Sequence, residues 1–171
     1  MKTSEQFLQP QQIVIPLELE TENLKMPISF NIKEGTRFDI GGIQVDSNRG
    51  LIISGVIAED NAKINHIFVD EELRGGSGKA LLDKLEEQLE KQRISKIFCT
   101  FEKIGTVEFF LQNGYCIISV ESITEKQRKS LEIDDTAFDE RITNDEDLKF
   151  LKTQGEVRLK NILLLKEIGK K

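Results

Sequence analysis

VDEELRGGSGKALLDKL, residues 69–85, sets three glycines and two cations between an apolar strand end and an amphipathic helix. Placing such flexible residues where a helix must begin is costly, because each glycine loses more conformational freedom on ordering than any other residue. The pattern makes sense where backbone has to approach a group that no Cβ can crowd. The opening amides of a helix are also a natural anion site, unpaired and at the positive end of the helix dipole. Three phosphate-binding designs combine glycine, a cation and a helix start, and spacing separates them.

The mononucleotide loop G-x-x-x-x-G-K-[ST] needs a glycine where Leu73 stands and a hydroxyl where Ala80 stands. The dinucleotide fingerprint G-x-G-x-x-G, begun at Gly76 and Gly78, needs its third glycine at Leu81, and its fold needs repeated βα units. The third design is an acyl-CoA turn. Here the stretch resembles the central motif of the GCN5-related N-acetyltransferases (GNAT superfamily), V-x-x-x-x-R-G-x-G-x-G-x-x-L. Val69 stands five residues before Arg74, Gly75 follows it, and Gly78-Lys79-Ala80-Leu81-Leu82 opens the helix. The loop is one residue short. Aligned backward from the helix, Gly76 and Gly78 match the last two glycines and Leu73 takes the place of an arginine or glutamine. A second stretch, TVEFFLQNGY (106–115), is similar to the later family motif A-x-x-F-Y-x-x-x-G-F. Phe109, Phe110, Gly114 and Tyr115 keep its spacing, Thr106 replaces the alanine, and Lys103 stands where the family often has asparagine. The resemblance covers residues 50–122 well, the last strand loosely and the first 45 residues poorly.

That resemblance implies a fold and a chemistry. The fold is α/β (α+β): a GNAT-like mixed, mostly antiparallel sheet flanked by helices. The cosubstrate is acetyl-CoA, with amides from Arg74 to Lys79, including those of Gly75, Gly76, Ser77 and Gly78, on its pyrophosphate. Arg74 and Lys79, with Lys103, would offset its charge. The strand end at Ile67, Phe68 and Val69 would pair with the pantetheine arm, and Phe110 would line the same groove. The reaction is direct transfer of the acetyl group to a primary amine, on a small molecule or a protein. The family often supplies a tyrosine as acid for the departing thiolate, and this chain has Phe110 there. A thiol of pKa near 8.5 is a tolerable leaving group unaided, whereas an acid–base partner adds about 10² to 10⁴ in rate. His66, the single histidine, and Glu59 and Asp60 at the preceding turn are the candidate bases. Tyr115 is expected to pack, and Cys99 and Cys116 to be reduced, buried thiols. The alternative function is a catalytically weakened acyl-CoA-binding sensor or interaction module.

The remainder of the chain fits this frame. Ile- and Val-rich segments at 13–20, 27–33, 38–46, 50–60 and 63–70 read as strands, parted by Glu, Asn, Gly and Asp. Family members usually carry one or two helices after the first strand, and this chain offers only strand-like sequence there. The leucines at 81, 82, 85 and 89 line one face of a helix. ISKIFCTF (94–101) is the next strand, so the two strands around that helix are expected to be parallel. TVEFFLQN reads as a short helix stopped at Gly114, YCIISVES (115–122) as a strand, and EVRLKNILLLKEI (156–168) as the closing strand. Residues 1–12 are a polar lead and 13–171 a single domain. Its helical, acidic insertion at about 123–155 carries Glu132, Asp134, Asp135, Asp139, Glu140, Asp145, Glu146 and Asp147. The net charge of −6 argues against a general nucleic-acid binder. No apolar run approaches the roughly 20 residues that span a bilayer, and MKTSEQFLQPQQ lacks a signal-peptide core. A cytoplasmic protein without metal, with a homodimer as the assembly to test, is the expectation.

Overall fold

The computed structural model describes residues 12–44, 46–133, 138–155 and 158–169. The polar lead over residues 1–12 lies outside the described residues except for Gln12, as do Asp134 and Asp135. Eight strands form the sheet: β1 (Gln12–Glu20), β2 (Lys25–Lys33), β3 (Arg37–Ile43), β4 (Gly50–Ala58), β5 (Asn61–Val69), β6 (Lys96–Lys103), β7 (Cys116–Ile117) and β8 (Arg158–Glu167). Four helices accompany them: α1 (Ser77–Lys91), α2 (Ile104–Gln112), α3 (Glu125–Ser130) and α4 (Asp145–Thr153). The strand order is β1-β2-β3-β4-β5-β6-β8-β7. β5 and β6 pair in parallel, while β1–β2, β2–β3, β3–β4, β6–β8 and β7–β8 pair antiparallel. This is the mixed, mostly antiparallel sheet that the sequence predicts.

By internal packing the chain forms two compact units, Met1–Ile57 with His66–Gln88, and Ala58–Asn65 with Leu89–Lys171. The first is a meander whose strands alternate as a sheet with one buried face requires. In β2, Met26, Ile28, Phe30 and Ile32 are buried, and Lys25, Pro27 and Lys33 are exposed. Short turns join β1 to β2 and β2 to β3, so no helix follows the first strand. Leu81, Leu82 and Leu85 of α1 are fully buried, as the leucine spacing predicts.

In the second unit α2 packs on β6 and β8. Its hold is aromatic: the Phe110 ring stacks on Phe101 at 5.0 Å and meets Phe109 at 5.2 Å and Tyr115 at 5.0 Å edge-on. Gly114, at φ 91°, ends the helix where the sequence predicts. The segment at 115–122 departs from expectation. Only Cys116–Ile117 is strand, and Val120–Ser122 is a 3₁₀ turn. Serine chemistry explains this: Ser119 accepts from the Glu121 amide at 3.3 Å and Ser122 Oγ donates to the Ser119 carbonyl at 2.5 Å. Such side chains offer the backbone an alternative to the ladder. Cys116 is a second correction, since it is exposed; Cys99 is buried as expected.

The acidic stretch is tied down by one of its own acids. Asp139 is buried; its carboxylate accepts from Arg141 Nε at 2.9 Å, Arg141 Nη2 at 2.7 Å and the Lys160 amide at 3.1 Å. The Arg141 hydrogen bonds hold its pKa down at about 2. A depressed carboxylate stabilises the fold fully above its unfolded pKa, and the contribution fades as pH falls through the folded value. Asp139→Asn should therefore cost about 2 kcal/mol near neutral pH, and the gap from wild type should close between about pH 4 and pH 2. Urea unfolding of both proteins across that range measures it.

Candidate functional site

β5 has two characters. Asn61–Ile64 are buried and pair in parallel with Lys96–Cys99, and that ladder ends at Ile64 and Cys99. The strand runs on through Asn65 and His66, both exposed, then half-buried Ile67, exposed Phe68 and half-buried Val69. Half of Phe68 is open to solvent. Where β5 ends, the Asp70 amide donates to the Gly50 carbonyl at 3.0 Å, which keeps this end extended.

The glycine turn follows a short 3₁₀ turn, Glu71–Leu73. Gly75 and Gly76 adopt φ 115° and 96°, in the region that a Cβ disfavours. A Cβ on either would meet nothing within 4 Å, so backbone conformation and not crowding demands glycine there. Among the described residues, the amides of Gly75, Gly76, Ser77, Gly78 and Lys79 donate no hydrogen bond. The first bond of the helix start runs from the Ala80 amide to the Gly76 carbonyl at 3.0 Å. The Ser77 hydroxyl is spent locally, donating to the Leu73 carbonyl, and its side chain is buried. Five consecutive amides at the positive end of α1 thus have no acceptor among the described residues; Ser77 is buried and the other four residues are exposed or half-buried, and the first turn carries no acid.

The cations differ in their engagement. Arg74 is exposed and has no partner among the described residues. Lys79 pairs with Asp83 one turn along at 2.9 Å, and that hydrogen bond raises its pKa. The pair is exposed and a small force. Lys103, in the second unit, is exposed at the end of β6, before α2.

The candidate bases fare unequally. The His66 side chain is exposed and unpartnered among the described residues, in the part of β5 beyond its ladder with β6. Glu59 and Asp60, both in the second unit, are engaged. Lys126 sits 2.7 Å from Glu59, and Ser95 Oγ donates to Asp60 at 3.0 Å. Phe110 is wholly enclosed by its aromatic neighbours, so the expectation that it lines the cosubstrate groove gives way to a packing role. Tyr115 is buried beside it. Burial pushes the Cys99 thiol well above its ordinary value against the pull of Lys63, leaving it no nucleophile.

Sequence reading missed a cavity of about 340 Å³ in the first unit, lined by the β1–β2 turn, the β3–β4 turn and residues 72–75. Its residues come from three distant segments, each of which reads as an ordinary hairpin or turn. Among the described residues no helix is long and apolar enough to cross a membrane, and no cluster of His, Cys, Asp and Glu could hold a metal.

Fold and turn together define a class. Residues 45–129 match the family model described as acetyltransferase (GNAT) domain, and that part of the chain is a GNAT-type domain. No curated protein matches the chain. Solved structures resemble it in fold. A GNAT-family acetyltransferase from Staphylococcus aureus Mu50 is 18% identical with a TM-score of 0.53, over 77% of this chain and 68% of that one. An IAA acetyltransferase from Bacillus cereus is 20% identical with a TM-score of 0.51, over 77% and 78%. GCN5 from Tetrahymena is 12% identical with a TM-score of 0.50, over 77% and 68%.

The backbone argument has a direct check in two alanine substitutions. Gly76→Ala forces a Cβ into a disfavoured region and should cost about 1 kcal/mol. Gly105, exposed in α2 with nothing within 4 Å of a built Cβ, needs no positive φ. Gly105→Ala should stabilise by about 0.5 kcal/mol. Opposite shifts in Tm are the expected outcome.

Proposed function

We propose that the chain is an acetyl-CoA-dependent N-acetyltransferase that passes the acetyl group directly to a primary amine of a small molecule or protein. The observation that carries this reading is the run of five undonated amides from Gly75 to Lys79 at the start of α1. Arg74, Gly75, Gly76, Ser77, Gly78 and Lys79 would hold the cosubstrate pyrophosphate, with N–H groups and the helix dipole as the main attraction. The pantetheine arm would lie along Ile67, Phe68 and Val69 as an added strand, meeting exposed backbone and an apolar side chain.

The chemistry needs little from the protein beyond placement. The neutral amine attacks the thioester carbonyl, a C–N bond forms, and the carbonyl electrons move onto oxygen. Collapse of that oxyanion breaks the C–S bond, and the proton lost by the amine ends on the thiolate. An amide of β5 beyond its ladder with β6 would support the oxyanion, a role worth about 3 kcal/mol in comparable sites. His66 is the favoured base, because Glu59 and Asp60 already hold Lys126 and Ser95.

A second reading, an acyl-CoA-binding module without transfer, draws on the burial of Phe110 and Tyr115. Neither offers a departing thiolate an accessible proton. Two measurements separate the readings. Calorimetric titration should show acetyl-CoA binding at one site, and Arg74→Glu should weaken it about tenfold or more without lowering Tm. Thiol release across an amine panel should then identify an acceptor; binding with no release by any amine favours the module. In the enzyme reading, His66→Gln should lower kcat by about 10²-fold and leave the acetyl-CoA KM unchanged. An unchanged kcat removes His66 as the base.

A further inference from the structure

The first unit has one sheet face that stays open among the described residues. Directly opposed residues of an antiparallel ladder point to the same side, so the registers of β1–β4 give this face as rows. Val14, Asn31, Asp39 and Ser54 form one row, and Pro16, Ser29, Gly41 and Ile52 the next. Beyond them stand Glu18 with Pro27, and Ile43 with Gly50. The opposite side of β2 carries Met26, Ile28, Phe30 and Ile32, all buried. On the open side Val14 is 57% exposed, Ile43 61% and Ile52 37%, and Pro16 and Pro27 are exposed too. Short turns join these strands, which leaves α1 as the one α-helix of the unit among the described residues. A single helix covers only one face of a sheet.

The polar groups of the open face already satisfy one another. Asn31 Nδ2 donates to Ser29 Oγ at 3.1 Å and to Asp39 Oδ1 at 2.7 Å, and Lys33 Nζ lies 3.5 Å from Asp39 Oδ2. A partner can cover them without stranding a donor, a loss worth about 1 to 3 kcal/mol. Ser29 and Gly41 keep the middle of the face low, so a second sheet can approach to the roughly 10 Å at which sheets pack.

Charge selects the occupant. One end of the face carries Glu18, Glu20 and Lys25, with Glu22 and Asp46 in the turns beside them. Lys25 answers Glu18 at 3.4 Å, and an acidic excess remains. The other end carries Lys33 and Arg37, with Asp39 and, in the turn, Glu34. A second copy laid on this face with its strands reversed sets each acidic end against the other copy's cations. Laid on without reversal, it would stack acid on acid. Four strands about 4.8 Å apart and some 30 Å long bury roughly 1,100 Å² over both copies, just enough for a specific interface.

We propose that the open face of β1–β4 is an interface with a second copy of this chain, the two copies packing sheet on sheet about a two-fold axis across the strands. Val14, Pro16, Ile43 and Ile52 supply the apolar contact, and the cations at one end answer the acids at the other. The assignment does not depend on which ligand the glycine turn takes.

Sedimentation velocity of the full chain over a range of concentrations tests it. A reversible monomer–dimer equilibrium is the expected result. Ile43→Glu, at an exposed position, should weaken the dimer about tenfold or more and leave Tm unchanged. Lys33→Glu should also weaken it, and adding Glu20→Lys should restore most of the loss, because the charge pattern is then reversed rather than broken. A chain that stays monomeric at every concentration overturns the proposal. So does a dimer that Ile43→Glu leaves intact, or a double variant no tighter than Lys33→Glu alone. A chain that dimerises only when Phe7→Ser and Leu8→Ser are made together has its own leading residues on the face, which likewise overturns it.

Discussion

The parallel ladder of β5 on β6 ends at Ile64 and Cys99 while β5 itself continues to Val69. That early ending is the constraint from which the candidate site follows. A strand that loses its partner on one edge is expensive when buried, and this stretch, which keeps β4 as its neighbour, avoids the cost by being exposed or half-buried. What remains is an extended segment beyond the β6 ladder, with apolar side chains at Ile67, Phe68 and Val69 and its far end tied to Gly50. The chain must then begin a helix within a few residues. Gly75 and Gly76, in conformations that other residues rarely adopt, turn it while leaving the amides from Gly75 to Lys79 without an acceptor among the described residues. Strand edge and amide run come from one local decision about where pairing stops.

Much of this was legible because it is local. Ile- and Val-rich runs between turn residues mark β1 to β4, the leucine spacing marks α1, and the glycine, arginine and lysine order marks the turn. Each signal lies within about fifteen residues, and no competing tertiary demand reverses it. The failures have physical reasons too. At 115–122 the apolar composition reads as strand, yet Ser119 and Ser122 bond their own backbone and the ladder shortens to two residues. Cys116 sits in an apolar run but falls on an exposed strand position, which composition cannot reveal. The cavity escaped because Asn23, Gln44, Arg49 and Glu72 carry no common spacing; only the hairpin turns bring them together.

Phe110 shows how a motif position can change role without changing its neighbours. Its ring lies at the centre of Phe101, Phe109 and Tyr115, and no part of it meets solvent. A hydroxyl at that centre would need a partner in an apolar environment, and an unpaired one costs roughly 1 to 3 kcal/mol. Phenylalanine is therefore the residue this packing favours. On the enzyme reading the proton for the thiolate comes from solvent or from the amine itself, and rate depends on orientation and on the amides that meet the oxyanion.

An acidic chain that holds a polyanion raises an electrostatic question, and the amide run answers it on the same reading. Long-range repulsion from a net charge of −6 is screened over about 8 Å at physiological salt. Hydrogen bonds from Gly75 to Lys79 act at contact distance, where that screening is weak. They also add no formal charge, so on that reading they would attract a pyrophosphate without inviting nucleic acid or anionic surfaces over longer range. Arg74 adds a full charge at the edge of the turn, and Lys79 adds one that it shares with Asp83 in an exposed pair. The attraction is thereby concentrated where donors are ordered in number and direction. A ligand gains from it only when it presents linked phosphates to the turn, which is how a negatively charged protein can select one polyanion among many.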